Sequence, residues 1–101
     1  MPTAQGSIAI VNSKLTATIL IDSIPFTYAT TISVSLPDFQ ALATLTYNHK
    51  NDLTGAQSYN GKVGENTFEL TLTNGPKITG PLTPPIIPAK AINGSGLWTQ
   101  G

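Results

Sequence analysis

The sequence predicts an all-β fold, a single-domain antiparallel β-sandwich or small β-barrel of about seven or eight strands, with residues 1–101 forming one β domain. Three observations carry this. Apolar and hydroxyl residues alternate with a period of two over long stretches, the signature of strands with one buried and one solvated face. Turn-forming pairs recur between those stretches, Asn-Gly alone at 60–61, 74–75 and 93–94. No stretch of about twelve residues carries a helical period.

Along the chain, Ser7–Asn12 is a short apolar run. Residues 14–22 put Leu15, Ala17, Ile19 and Ile21 on one face and Thr16 and Thr18 on the other. The most regular stretch is 25–37, "PFTYATTISVSLP". Phe26, Tyr28, Thr30, Ile32, Val34 and Leu36 share its inner face, and a proline at each end marks where pairing stops. Residues 41–48 offer Ala41, Ala43, Leu45 and Tyr47 as a core face. Phe39, Leu42 and Ala43 also fit a helical turn after Pro37-Asp38, but the ending Thr44-Leu45-Thr46-Tyr47 favours a strand. Residues 66–73 point Phe68, Leu70 and Leu72 inward. Asn-Gly supplies the positive φ of a tight hairpin turn, so Asn60-Gly61 predicts a small hairpin. Pro76 weakens the same signal at Asn74-Gly75, because it removes a donor just after the turn.

A chain of 101 residues buries enough surface to hold a core without metal or crosslinks. Cysteine is absent, which excludes disulfides, thiol catalysis and cysteine-ligated metal. Only 10% of residues are charged, five lysines balance five acids, and arginine is missing. Nucleic-acid affinity comes largely from neutralised phosphates, so the balance argues against nucleic acid, and equally against anionic membranes. No segment approaches the roughly 20 apolar residues of a membrane-spanning helix, so no membrane insertion is expected. The start, Met-Pro-Thr-Ala-Gln-Gly, has neither the basic residues nor the apolar run of a secretory leader. Solubility rests on fifteen threonines, seven serines and seven asparagines. That composition suits an extracellular or virion surface without assigning a compartment.

The longest polar interval, 48–66, is where a rigid sheet would carry binding groups. It holds His49, the only histidine, with Lys50, Asp52, Lys62 and Glu65. Tyr47 stands at its edge; Tyr59 and Asn60 lie within it. Tyrosine and asparagine with little charge favour a neutral polar ligand: a ring stacks on a sugar while amides reach its hydroxyls. The ligand-binding set expected from sequence is therefore Tyr47, His49, Asp52, Tyr59 and Asn60, with Trp98 as a stacking platform if exposed. The alternative for 48–66 is an ordinary solvated hairpin; for Trp98 it is a plug closing one end of the fold.

Catalysis is not expected. His49 and Asp52 supply a base and an orienter without a nucleophile, and Asp22, Asp38, Asp52, Glu65 and Glu69 are too dispersed to nominate a glycosidase pair. One histidine offers no metal-ligand spacing, and Asn48, Asn51 and Asp52 lack the regular calcium-loop pattern, so neither metal nor cofactor is expected. Residues 81–88 contain two Pro-x-x-Pro spacings, yet they read as a stiff connector or protected edge rather than a docking ligand, with Ile86 and Ile87 as buried side chains. Gly94 and Gly96 lack the context of a nucleotide loop.

These readings converge on a non-catalytic recognition domain, lectin-like, for a carbohydrate or a protein surface. A second class is a structural, self-assembling subunit of virion or shell type, with a homo-oligomer built through open strand edges. A third is a small barrel holding an apolar molecule, with Ala17, Ala41 and Ala43 making room.

Overall fold

The computed structural model describes residues 2–32 and 36–100, with the side chains of residues 50, 83 and 84 left out. It is all β, a closed antiparallel barrel of seven strands. Six continuous segments build it: β1 (Thr3–Val11), β2 (Lys14–Ile21), β3 (Ile24–Thr31), β4 (Phe39–Thr46), β5 (Gly55–Leu72) and β6 (Lys77–Gln100). The order around the sheet is β3-β2-β1-β4-β6-β5, and a further β3–β6 pairing closes it. Closure decides barrel over sandwich.

The first four strands follow the alternation. In β2, Leu15, Ala17, Ile19 and Ile21 are buried, and in β3 Phe26, Tyr28 and Thr30 are. Ile32 and Leu36, beyond the end of β3, are buried as well; Ser33, Val34 and Ser35 of the expected strand lie outside the described residues. Ala43, Leu45 and Tyr47 face the core from the β4 side, with Ala41 half-buried against it. Each fully buried aliphatic or aromatic side chain here contributes about 1.5–3 kcal/mol. The inward Thr30 is satisfied: its hydroxyl donates to the Ser95 carbonyl at 2.8 Å.

Several boundaries differ from the sequence reading. β1 starts at Thr3 rather than Ser7, because its first half pairs with β4 from Thr3↔Thr46 onward. Pro25 lies inside the ladder, opposite Leu20. The two tight hairpin turns are Asn12-Ser13 and Asp22-Ser23, all four residues at φ between +52° and +66°. Asn and Asp tolerate this region; serine is strained there. Asn60-Gly61 is not a turn. It lies within β5 with Asn60 opposite Asn93, so two of the three Asn-Gly pairs face each other across a ladder. Asn74-Gly75 does make the β5–β6 turn, Gly75 at φ +119°.

β5 and β6 form one long bent ribbon, paired from Gly55↔Trp98 to Thr71↔Lys77. Register shifts fall between Val63 and Glu65 and between Glu65 and Thr67. Residues 81–88 belong to β6 rather than to a connector. Ile86 is buried, but Ile87 points to solvent, since the chain is extended there and neighbours face opposite sides.

Candidate functional site

One end of the barrel gathers the loop after β4. It is much shorter than the predicted 48–66 excursion, because β5 already begins at Gly55. A single 3-10 turn, Lys50–Asp52, fills it. Leu53 is its anchor, buried in the core. The Asp52 amide donates to the His49 carbonyl at 3.0 Å, and the Thr54 hydroxyl to the Asn51 carbonyl at 2.9 Å. The Asn74 amide, from the β5–β6 turn, donates to the Asp52 carbonyl at 2.8 Å and pins the two loops together. Tyr47 stands at the root of this loop, only 9% exposed; its backbone amide donates to the Pro2 carbonyl. His49 is exposed and Asp52 half-buried. Among the described residues, no three histidine or carboxylate side chains come together as a metal-binding group.

The other half of the expected set is elsewhere. Tyr59 is 1% exposed and Trp98 4% exposed, both inside the barrel, so neither presents a ring to a ligand. They pack around Tyr28, Tyr59 edge-on with centroids 6.1 Å apart and Trp98 tilted at 5.1 Å. Glycines make room: a Cβ on Gly96 would stand 2.7 Å from Tyr28 Cζ and 2.6 Å from the Ala29 carbonyl oxygen. The Gly94-Ser-Gly-Leu-Trp98 run is thus a bed for aromatic rings. The Tyr28 hydroxyl reaches across to donate to the Gln57 carbonyl at 2.7 Å. Burial pushes its pKa up to about 12, Tyr59 adds to the rise, and the Gly96 backbone amide opposes it. Tyr59 Oη and Trp98 Nε1 are buried with no hydrogen-bond partner among the described residues. Asn60 stays on the outer wall, exposed.

The expected set therefore divides into Tyr47, His49 and Asp52 at one end, Asn60 outside, and Tyr59 and Trp98 within. No stacking surface assembles from them.

A different surface has the more suitable geometry. Where β4, β6 and the second half of β5 run side by side, outward residues fall into rows. Gln5 opposes Thr44, Thr44 opposes Thr79, and Thr79 opposes Glu69. The next row is Thr3, Thr46, Lys77 and Thr71. Neighbouring strands lie about 4.8 Å apart, which sets the spacing of the hydroxyls. The Thr44 hydroxyl donates to Gln5 Oε1 at 3.2 Å. Lys77 and Glu69 form an exposed 4.0 Å ion pair, worth little in water. A hollow of about 370 Å³ opens on this wall, lined by Thr67, Phe68, Glu69, Thr79 and Gly80. A second, of about 290 Å³, is lined by Ser7, Gln40, Ala41 and Leu42. Leu42, 74% exposed, pairs with Ser7, and its carbonyl lies against Gly80, so the two hollows are neighbours on one face. The signal that could have located this wall is the outward register of the threonines, which needs strand order as well as parity.

Comparison with protein families, curated proteins and solved structures returns no match.

Proposed function

We propose that the barrel is a non-catalytic recognition module for a neutral polar ligand, a glycan by preference, bound on the β1–β4–β6–β5 wall. The observation that carries this reading is the Gln5–Thr44–Thr79–Glu69 row bordering the 370 Å³ hollow. Threonine hydroxyls donate and accept, the glutamine amide does both, and a carboxylate accepts from two sugar hydroxyls at once. Leu42 and the rim of the hollow offer apolar surface for the C–H face of a ring. The ligand chemistry is the one the composition predicts; the sheet wall rather than the 48–66 interval carries it, because Tyr59 and Trp98 are buried in the core.

A glycan array probed with the intact chain tests it. Thr79→Val together with Glu69→Gln is expected to abolish the signal while the thermal midpoint stays nearly constant, since both side chains face outward. Binding that survives this double change, or no glycan bound by the intact chain, would overturn the proposal.

Self-association is a second reading with one observation in its favour. Leu20, Leu42, Ile87 and Leu97 are exposed large apolar residues, and such side chains seat on a partner face. Contact would then run through these outward side chains. Light scattering at high concentration separates the readings: a strict monomer removes this one.

A further inference from the structure

We propose that Asn74 is a site of spontaneous deamidation, and that its conversion releases the 48–54 loop from the β5–β6 turn. The chain holds three Asn-Gly pairs, all with the same local chemistry. The backbone nitrogen of the glycine attacks Cγ of the asparagine, forming an N–Cγ bond. The Cγ–Nδ2 bond breaks, and ammonia departs with the proton lost from the glycine amide. Solvent water then opens the cyclic imide at one carbonyl or the other, leaving aspartate or isoaspartate. No oxidant or cofactor enters.

Structure makes the three pairs unequal. The attack requires the backbone to leave the extended conformation so that the side-chain carbonyl meets the next nitrogen. Asn60-Gly61 and Asn93-Gly94 lie in the middle of a continuous antiparallel ladder, running from Gly55↔Trp98 to Val63↔Lys90. Bending either there breaks pairing on both sides. Asn74-Gly75 is a turn, with both residues exposed. Gly75 is at φ +119°, and nothing lies within 4 Å of where its Cβ would be. Two bonds restrain it: Asn74 Nδ2 to the Asp52 carbonyl at 2.8 Å, and the Gly75 amide to the Leu72 carbonyl at 3.0 Å. Isolated bonds at a solvent-facing turn open far more often than those inside a ladder.

The product matters because of the first of those bonds. Asn74 Nδ2 is a donor, and a carboxylate in its place donates nothing. It would set a negative oxygen against the Asp52 carbonyl oxygen. The clasp becomes a repulsion, and the 3-10 turn that ends at Asp52 loses its tie to the ribbon. The inference is independent of the glycan reading, which concerns the sheet wall.

Peptide mapping by mass spectrometry after incubation at mildly alkaline pH is the test, on the folded chain and on the same chain in denaturant. In denaturant the three sites are expected to convert at similar rates. In the folded protein, position 74 should convert many-fold faster than 60 or 93. Conversion at 60 or 93 as fast as at 74, or none at 74 over a period in which the unfolded chain converts, would overturn the proposal. Amide hydrogen exchange on Asn74→Asp reads the consequence: residues 50–55 should exchange several-fold faster than in the parent. Unchanged exchange there would refute the clasp.

Discussion

The β1–β4 half and the β5–β6 half of this barrel are built to different rules. In the first, strands of eight or nine residues keep strict inward–outward parity, and β1, β2 and β3 are joined by two-residue turns. In the second, strands of 18 and 24 residues bend, shift register and carry glycines where rings need room. Short strands transmit twist and curvature through the turns between them. A long ribbon must curve within itself, which calls for bulges and residues without Cβ. In such a ribbon an Asn-Gly pair serves packing and curvature rather than reversal.

The largest expected effect probes that division directly. Gly96→Ala places a methyl against the Tyr28 ring and the Ala29 carbonyl, and overpacking of this kind costs about 1–3 kcal/mol. Denaturant unfolding should show the midpoint fall; an unchanged midpoint would mean that the ring bed is not tight.

The aromatic cluster gives a finer contrast. Tyr28→Phe deletes a hydroxyl bonded to the Gln57 carbonyl and is expected to cost about 1 kcal/mol. Tyr59→Phe deletes one with no partner among the described residues and should be neutral or stabilising. The Tyr28 pKa, raised from 10.0 to about 12, links the cluster to pH. Its folded form holds the proton more tightly than the unfolded chain does. Its contribution is therefore fully present below pH 10 and is lost as the pH rises from 10 through 12. In Tyr28→Phe that part of the alkaline loss should disappear from stability measured against pH.

The smallest effect belongs to the meander. Ser23, at φ +66°, is strained in a region that glycine enters freely. Ser23→Gly should gain a few tenths of a kcal/mol after the entropy cost of glycine, read as a small rise in thermal midpoint. A fall would show that the serine side chain contributes to the turn.

Much of the meander was legible from residue order. Leu15, Ala17, Ile19 and Ile21, or Phe26, Tyr28 and Thr30, alternate without interruption, and parity alone puts them inside. In β5 parity holds within each half, as for Phe68, Leu70 and Leu72, but does not carry across the bend. Tyr59 and Val63 face inward on odd numbers, and Phe68, Leu70 and Leu72 on even ones. The register shifts between Val63 and Thr67 change the phase. Asn60-Gly61 reads locally as a turn because its chemistry is the same in a turn and in a bent ribbon. The expected binding set failed to converge for a related reason: polar composition over 48–66 says nothing of which residues the opposing strand covers.

Residue order is enough for the class of fold, for the inward residues of β2, β3, β4 and the second half of β5, and for the low-charge, hydroxyl-rich exterior, because these follow from period and composition within one segment. Strand pairing across the whole chain is needed to close the sheet, to bring Tyr59 and Trp98 into the core, and to set Gln5, Thr44, Thr79 and Glu69 in one row. Those are relations between segments as far apart as β1 and β6. They depend on which strands pair and in what register, and that is settled by the packing of the whole interior.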